Sequence, residues 1–203
     1  MKIICIGHNY AKHIEELGSE RPIDPTVFLK PDSAILPKNN PFFIPAIAEE
    51  IHYETEVLVK INKVGKFIDA KFAHKYYDEI GLGIDFTDRA KQRHLKSKGL
   101  PWEKAKGFDG SAVIGEFFSK ENFKNLNDLN FTMHLNDELR QDGNTSNMLW
   151  NIDDIIEYIS QYFTLKKGDI IFTGTPVGVG AVKPEDVLVG ALEGVEAFRV
   201  KIK

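Results

Sequence analysis

Intrachain disulfides are excluded at the outset, because the 203 residues include a single cysteine. Cys5 lies in the apolar run Ile3-Ile4-Cys5-Ile6, where a small buried thiol is the expected role, and nothing calls for an oxidising compartment. There is also no apolar run of the ~18 residues a membrane span needs. Basic charge is not in surplus: 26 Lys and Arg face 30 Asp and Glu, a formal charge of -4. The bases are dispersed, which weighs against nucleic acid as a partner, since phosphate binding relies on clustered cations. The N-terminal stretch shows no charged leader followed by a long apolar segment and a small-residue cleavage site, so the cytoplasm is the expected location. Repeats, low-complexity tracts and flexible linkers are missing too. One domain over residues 1–203, large enough to bury a core without cross-links, is therefore expected.

What is present reads as a β-rich α+β chain with short peripheral helices. Met1 to Ile6 is a short apolar run stopped by Gly7, the pattern of a buried strand. Tyr10 to Leu17 has helical spacing, with Gly18 as its C-cap. Six prolines between Pro22 and Pro45 exclude a long helix there. Ile51 to Ile61 alternates as a strand, with Ile51, Tyr53, Val57, Val59 and Ile61 on one face and His52, Glu54, Glu56 and Lys60 on the other. Gly65 is expected to turn a hairpin, Ala70 to Tyr77 to form a short helix, and Ile80 to Phe86 to return as a strand. Thr87 is the expected N-cap of a polar helix running to Lys98 and ended by Gly99. Asn151 caps a helix whose Ile152, Ile155, Ile156, Ile159 and Phe163 form an apolar stripe, stopped after Lys166-Lys167 by Gly168. From Asp169 onward, short strands alternate with glycine turns.

Chemistry enters with the carboxylates. Glu54 and Glu56, two apart on a strand, point to one face about 6.5–7 Å apart at the backbone. They repel unless solvent or a cation screens them, and a hard divalent cation suits such oxygen donors. Asp85 ends the Ile80–Ile84 segment, a position from which a third carboxylate could converge. Spacing alone does not bring Asp85 to the others, and alternating glutamates on a half-exposed strand are commonplace.

A series of segments makes the pattern specific. Gly7-His8-Asn9-Tyr10-Ala11-Lys12-His13, Phe28-Leu29-Lys30-Pro31 with Ser33, and His52-Tyr53-Glu54-Thr55-Glu56 come first. Asp85-Phe86-Thr87-Asp88-Arg89 with Gln92, and Gly99-Leu100-Pro101-Trp102 with Lys106, Phe108 and Asp109, follow. Leu139-Arg140-Gln141-Asp142-Gly143 and Phe172-Thr173-Gly174-Thr175-Pro176 complete the set. In this order and over nearly the whole chain they resemble the fumarylacetoacetate hydrolase family, in its short acylpyruvate hydrolase and oxaloacetate decarboxylase branch. Three positions depart from the pattern: His8 stands in place of a usual arginine, Ala90 in place of a frequent acid and Val113 in place of a frequent proline. These departures bear on substrate preference and remove no proposed ligand.

The resemblance implies a β-roll, a homodimer, and a bound Mg²⁺ or Mn²⁺, with Ca²⁺ possible, held by Glu54, Glu56 and Asp85. It implies cleavage of a small 2-keto acid, by acylpyruvate hydrolysis or oxaloacetate decarboxylation, through a metal-bound pyruvate enolate. His13 and Glu16, three apart on a helix and able to share a face, would form a general-base dyad on a lid. Lys106 would stabilise the developing oxyanion. Arg89 and Gln92 would bind substrate oxygens or brace their helix; Thr175 would meet substrate from its turn or serve the turn alone. His52 could lie near the metal without ligating it, and His74, His94 and His134 are read as surface residues. Gly178 and Gly180 make no dinucleotide loop. Two rivals stand beside this reading: an isomerase or tautomerase using the same chemistry, and a non-catalytic β-rich binding protein.

Overall fold

The computed structural model describes residues 1–16 and 21–203. Three sheets carry the described strands. In the six-stranded sheet the order is β2 (Thr26–Lys30), β1 (Ile3–Gly7), β10 (Ile170–Phe172), β4 (Thr55–Ile61), β5 (Tyr77–Asp85) and β7 (Ala112–Ser119). The β1–β10 pair is parallel and the other pairs are antiparallel. A four-stranded antiparallel sheet holds β13 (Val195–Lys201), β12 (Val187–Leu192), β8 (Asn130–Leu135) and β9 (Glu138–Asn144). A small third sheet joins β11 (Gly180–Ala181), β3 (Ile51–Tyr53) and β6 (Thr87–Asp88).

The larger sheet is covered on both faces, which is why β1 reads as an unbroken apolar run rather than an alternating one. Ile4 and Ile6 turn into the main core with Val57, Val59, Leu82, Phe131, Met133 and Leu188, whereas Ile3 and Cys5 turn into a second cluster with Leu58, Ala112 and Phe172. The helices are short and outlying: α1 (Ala11–Glu16), α2 (Ala70–Ala73), α3 (Arg89–Ser97), α4 (Glu103–Lys106) and α5 (Ile152–Tyr162). In α5 the expected stripe of Ile152, Ile155, Ile156 and Ile159 is buried. Asn151 caps α5 by accepting from the amides of Asp153 and Asp154, and Asp154 reciprocates to the Asn151 amide. No helix among the described residues is long and apolar enough to cross a membrane.

Several local expectations are corrected. The Ile51–Ile61 stretch is two strands, because Ile51 and His52 pair with Asp88 and Thr87 whereas Thr55 onward pairs with β5. Gly65 tips no hairpin; it bridges Leu165, and the Tyr76 ring fills the place of a Cβ. The helix at Ala70 stops at Ala73, since Tyr77 is drawn into pairing with Ile61 and its hydroxyl donates to Asp153 at 3.0 Å. Asp88, not Thr87, caps α3, accepting from the Lys91 amide at 3.1 Å. Of the expected Tyr10–Leu17 helix, Ala11–Glu16 is helical, and Leu17 and the proposed Gly18 cap lie outside the described residues.

Candidate active site

Strand register decides which acids meet. Glu54 is the residue between β3 and β4, where the chain passes from the small sheet to the large one. Across the ladder Thr55 pairs with Ile84, and the Asp85 amide donates to the Glu54 carbonyl at 2.8 Å. Asp85 therefore sits beside the Glu54–Glu56 pair. One oxygen from each of the three carboxylates lies within 4.8 Å of the others, and the three residues are 5%, 2% and 0% exposed. The strand carrying the glutamates is thus buried on both faces, not half-exposed.

Such a cluster needs cations. The Lys106 ammonium, from the end of α4, lies 2.6 Å from Glu54, 2.6 Å from Asp85 and 2.6 Å from the Thr87 hydroxyl. This engagement explains why Thr87 caps no helix. Arg89 donates to the second oxygen of Glu54. From the opposite side Lys30, itself fully buried, approaches Asp85 Oδ1 at 2.6 Å. Lys30 also donates to Ser111 Oγ at 2.9 Å, to the Ser111 carbonyl at 3.1 Å and to the Lys106 carbonyl. Burial pushes the Glu54 carboxyl up, but Lys106 and Arg89 outweigh it and hold it below the usual range. Burial likewise opposes the Lys106 ammonium, and Asp85 and Glu54 more than restore its charge.

Glu56 is the exception. Burial first, then Asp85 and Glu54, push its carboxyl well above the ordinary carboxylate range. Its side-chain partner is the Gly174 amide at 2.6 Å, and among the described residues it has no ion pair. Gly174 is left-handed at φ +102°, and a Cβ there would fall 2.7 Å from that of Asn9, so the turn that aims this amide requires glycine. A buried carboxylate facing two others and short of a cation is the environment a divalent ion corrects. Three hard oxygen donors on rigid strands fit Mg²⁺-like ions far better than soft thiophilic ones.

Around the acids the structure gathers the other expected residues. His13 is buried, and its Nδ1 lies 2.8 Å from Glu16 Oε2, while Glu16 Oε1 accepts from the Gly178 amide at 3.1 Å. Arg89 donates to Gln92 Oε1 at 2.6 Å, so within α3 these two brace each other as well as facing the acids. The Thr175 hydroxyl donates to the Thr55 carbonyl at 2.8 Å and accepts from Gln141 at 2.9 Å. His13, Arg89, Gln92, Lys106 and Thr175 line one cleft with the three acids. His52 stays apart, held 2.9 Å from Glu50.

Sequence reasoning gave no role to three kinds of residue found here. Lys30 was quotable only as part of a segment, yet a lysine ending an apolar strand before Pro31 is itself a signal of a buried, paired cation. Gln141, fully buried, ties the Thr55 amide (3.0 Å) to Thr175 and Pro176; no local pattern marks it. Phe28, Lys96 and Trp102, given no role, form the outer wall of the cleft with His8, which was singled out only as a departure bearing on substrate preference.

Known proteins resemble this chain in sequence and in fold. The profile of the fumarylacetoacetate (FAA) hydrolase C-terminal family matches residues 2–203. The mitochondrial oxaloacetate tautomerase of Mus musculus is 40% identical over 201 residues, covering 99% of this chain and 91% of that protein. The mitochondrial oxaloacetate decarboxylase of Dictyostelium discoideum is 40% identical over 196 residues, covering 96% and 90%. Among solved structures, fumarylpyruvate hydrolase from Pseudomonas aeruginosa in complex with Mn²⁺ and pyruvate superposes with a TM-score of 0.93 at 30% identity, covering 100% of this chain and 89% of that one. With its β-rich architecture and a match along essentially its full length, the chain belongs to the fumarylacetoacetate hydrolase family.

Proposed function

We propose that this chain is an enzyme that cleaves a small 2-keto acid with the help of a divalent metal, by acylpyruvate C–C hydrolysis or oxaloacetate decarboxylation. The observation that carries this reading is the convergence of Glu54, Glu56 and Asp85 in a cleft also lined by His13, whose Nδ1 is held by Glu16. The three carboxylates would hold Mg²⁺, with Mn²⁺ or Ca²⁺ as alternatives. An ion held there would supply Lewis-acid polarisation of the substrate's keto group.

The remaining work falls to side chains. As the C–C bond breaks, its electron pair moves toward the keto group, and the Lys106 ammonium offers positive charge to that oxygen. With Nδ1 donating to Glu16, His13 is left with a basic Nε2. It takes a proton from water for hydrolysis and returns one to the carbon left behind. In decarboxylation no water is consumed, and the proton delivery alone is needed. Arg89 and Gln92 orient substrate oxygens, and Thr175 closes the wall behind them. The enzyme is placed in the cytoplasm as a homodimer, without nucleic acid or membrane partners.

A tautomerase reading stands second, favoured by the 40% identity to the Mus musculus oxaloacetate tautomerase; there His13 would move a proton at C3 and no C–C bond would break. Incubation with oxaloacetate and acetylpyruvate, following pyruvate release and enol absorbance together, separates the two. Pyruvate release that needs Mg²⁺ or Mn²⁺ and stops on chelation is expected. Loss of enol absorbance without pyruvate would transfer the assignment to the tautomerase.

A further inference from the structure

In the inner cleft Glu54 and Asp85 are charge-matched, by Arg89 and Lys106 on the first and by Lys106 and Lys30 on the second. The outer wall is not. There the imidazole of His8 stands edge-on to Trp102 with ring centroids 6.4 Å apart, and Trp102 in turn tilts against Phe28 at 6.0 Å. Lys96, from the last turn of α3, lays its ammonium 5.7 Å from the centre of the Trp102 ring. Among the described residues Lys96 has no carboxylate partner, although it lines the same cleft as the acids. The wall is stiff: His8 is held at φ +58° immediately after β1, and its neighbour Asn9 is locked by bonds to Trp150 and Thr173.

Resting on the functional reading above, we propose that Lys96 is a specificity-determining residue. It takes the distal carboxylate of a short 2-keto dicarboxylic acid whose keto-acid end lies among the inner residues, with the His8–Trp102–Phe28 wall packing the carbons between. The charge pattern supports this. Burial, then Lys96 and His13, lower the His8 pKa to about 4, so at neutral pH the wall adds no second cation. Burial and Arg89 hold the Lys96 ammonium below the ordinary lysine range, as expected of a cation short of counter-charge. Lys96 is otherwise exposed to solvent, and the face of the Trp102 ring covers its ammonium on one side only, leaving the other free for a charge-assisted hydrogen bond. A substrate with an uncharged tail would leave that ammonium uncompensated.

The test compares two acids on the same four-carbon skeleton, oxaloacetate and 2-oxobutanoate, by Mg²⁺-dependent deuterium exchange at C3 in the wild type and in Lys96→Met, Lys96→Glu and Lys96→Arg. The ratio of kcat/KM, oxaloacetate over 2-oxobutanoate, should fall roughly tenfold to a hundredfold in Lys96→Met. The loss should fall mainly on KM, be larger in Lys96→Glu, and be recovered in Lys96→Arg. An unchanged ratio, with both acids losing equally, overturns the inference while leaving the functional reading intact. If the wild type exchanges neither acid and also releases no pyruvate from oxaloacetate, that reading fails. Isothermal titration of the Mg²⁺-loaded protein with the two acids then decides the inference alone: oxaloacetate binding no more tightly than 2-oxobutanoate overturns it.

Discussion

His8 shows how much one residue's surroundings can override its chemistry. A free imidazole titrates near 6.5, but burial, Lys96 and His13 lower this one to about 4. The unfolded chain therefore takes up a proton on passing below pH 6.5, whereas the folded chain resists until about 4. Its contribution to stability is complete above 6.5 and is lost as the pH falls through that window. Thermal unfolding followed between pH 7 and 4 should show a steeper acid-side decline in the wild type than in His8→Gln; parallel curves would mean that His8 is not depressed. Position 8 was legible in the sequence as a departure from a usual arginine. Its neutrality was not, because burial, the leading cause, is set by packing, and Lys96, the next, lies 88 positions away in the chain.

At the level of elements, β5 carries Asp85 to the other acids, and its glycines make that possible. Gly81 and Gly83 look like weaknesses in a strand when read from propensity alone. In the fold, β7 shifts register beside them, and a Cβ on Gly83 would lie 2.1 Å from the Val113 carbonyl and 2.8 Å from Leu58. The residue is glycine because two backbones approach there. Gly83→Ala should cost about 1–3 kcal/mol or more in urea denaturation; a variant as stable as the wild type would show that β7 can retreat without cost. The same comparison explains which elements were readable. The start and stripe of α5 were, since its cap and apolar spacing are local; its end was not, for the helix stops at Tyr162 and Phe163 is already extended, five residues before the expected Gly168. The split of Ile51–Ile61 was not, since only partner strands from β6 and β5 impose it.

For the whole molecule, the proposed metal site couples binding to folding, because Glu54, Glu56 and Asp85 reside on the junction before β4, on β4 and on β5, and converge only when the sheet is assembled. Three buried acids with one short of a cation make the metal-free state the less stable one. Mg²⁺ or Mn²⁺ at about a hundred times its dissociation constant should stabilise the fold by ~2.7 kcal/mol, a rise of roughly 5–10 °C in Tm for a chain of this size. Chelator should remove the rise, and Glu56→Gln should not show it. A Tm indifferent to both ions would speak against the metal centre altogether.

By itself the sequence determined the β-rich class, the capped helix α5, the buried first strand and the identity of the acids and bases worth placing together. The first three depend on periodicity and capping, which act over a few positions; the acids and bases were singled out by the series of segments that resembles the family. Only the tertiary structure decided that Asp85 faces Glu54, that Lys30 closes the cluster from behind, that Glu56 lacks a cation and that Lys96 stands over Trp102. Each of those depends on register between strands or segments far apart in the chain, and pairwise distance of that kind is set by packing rather than by any local run of residues.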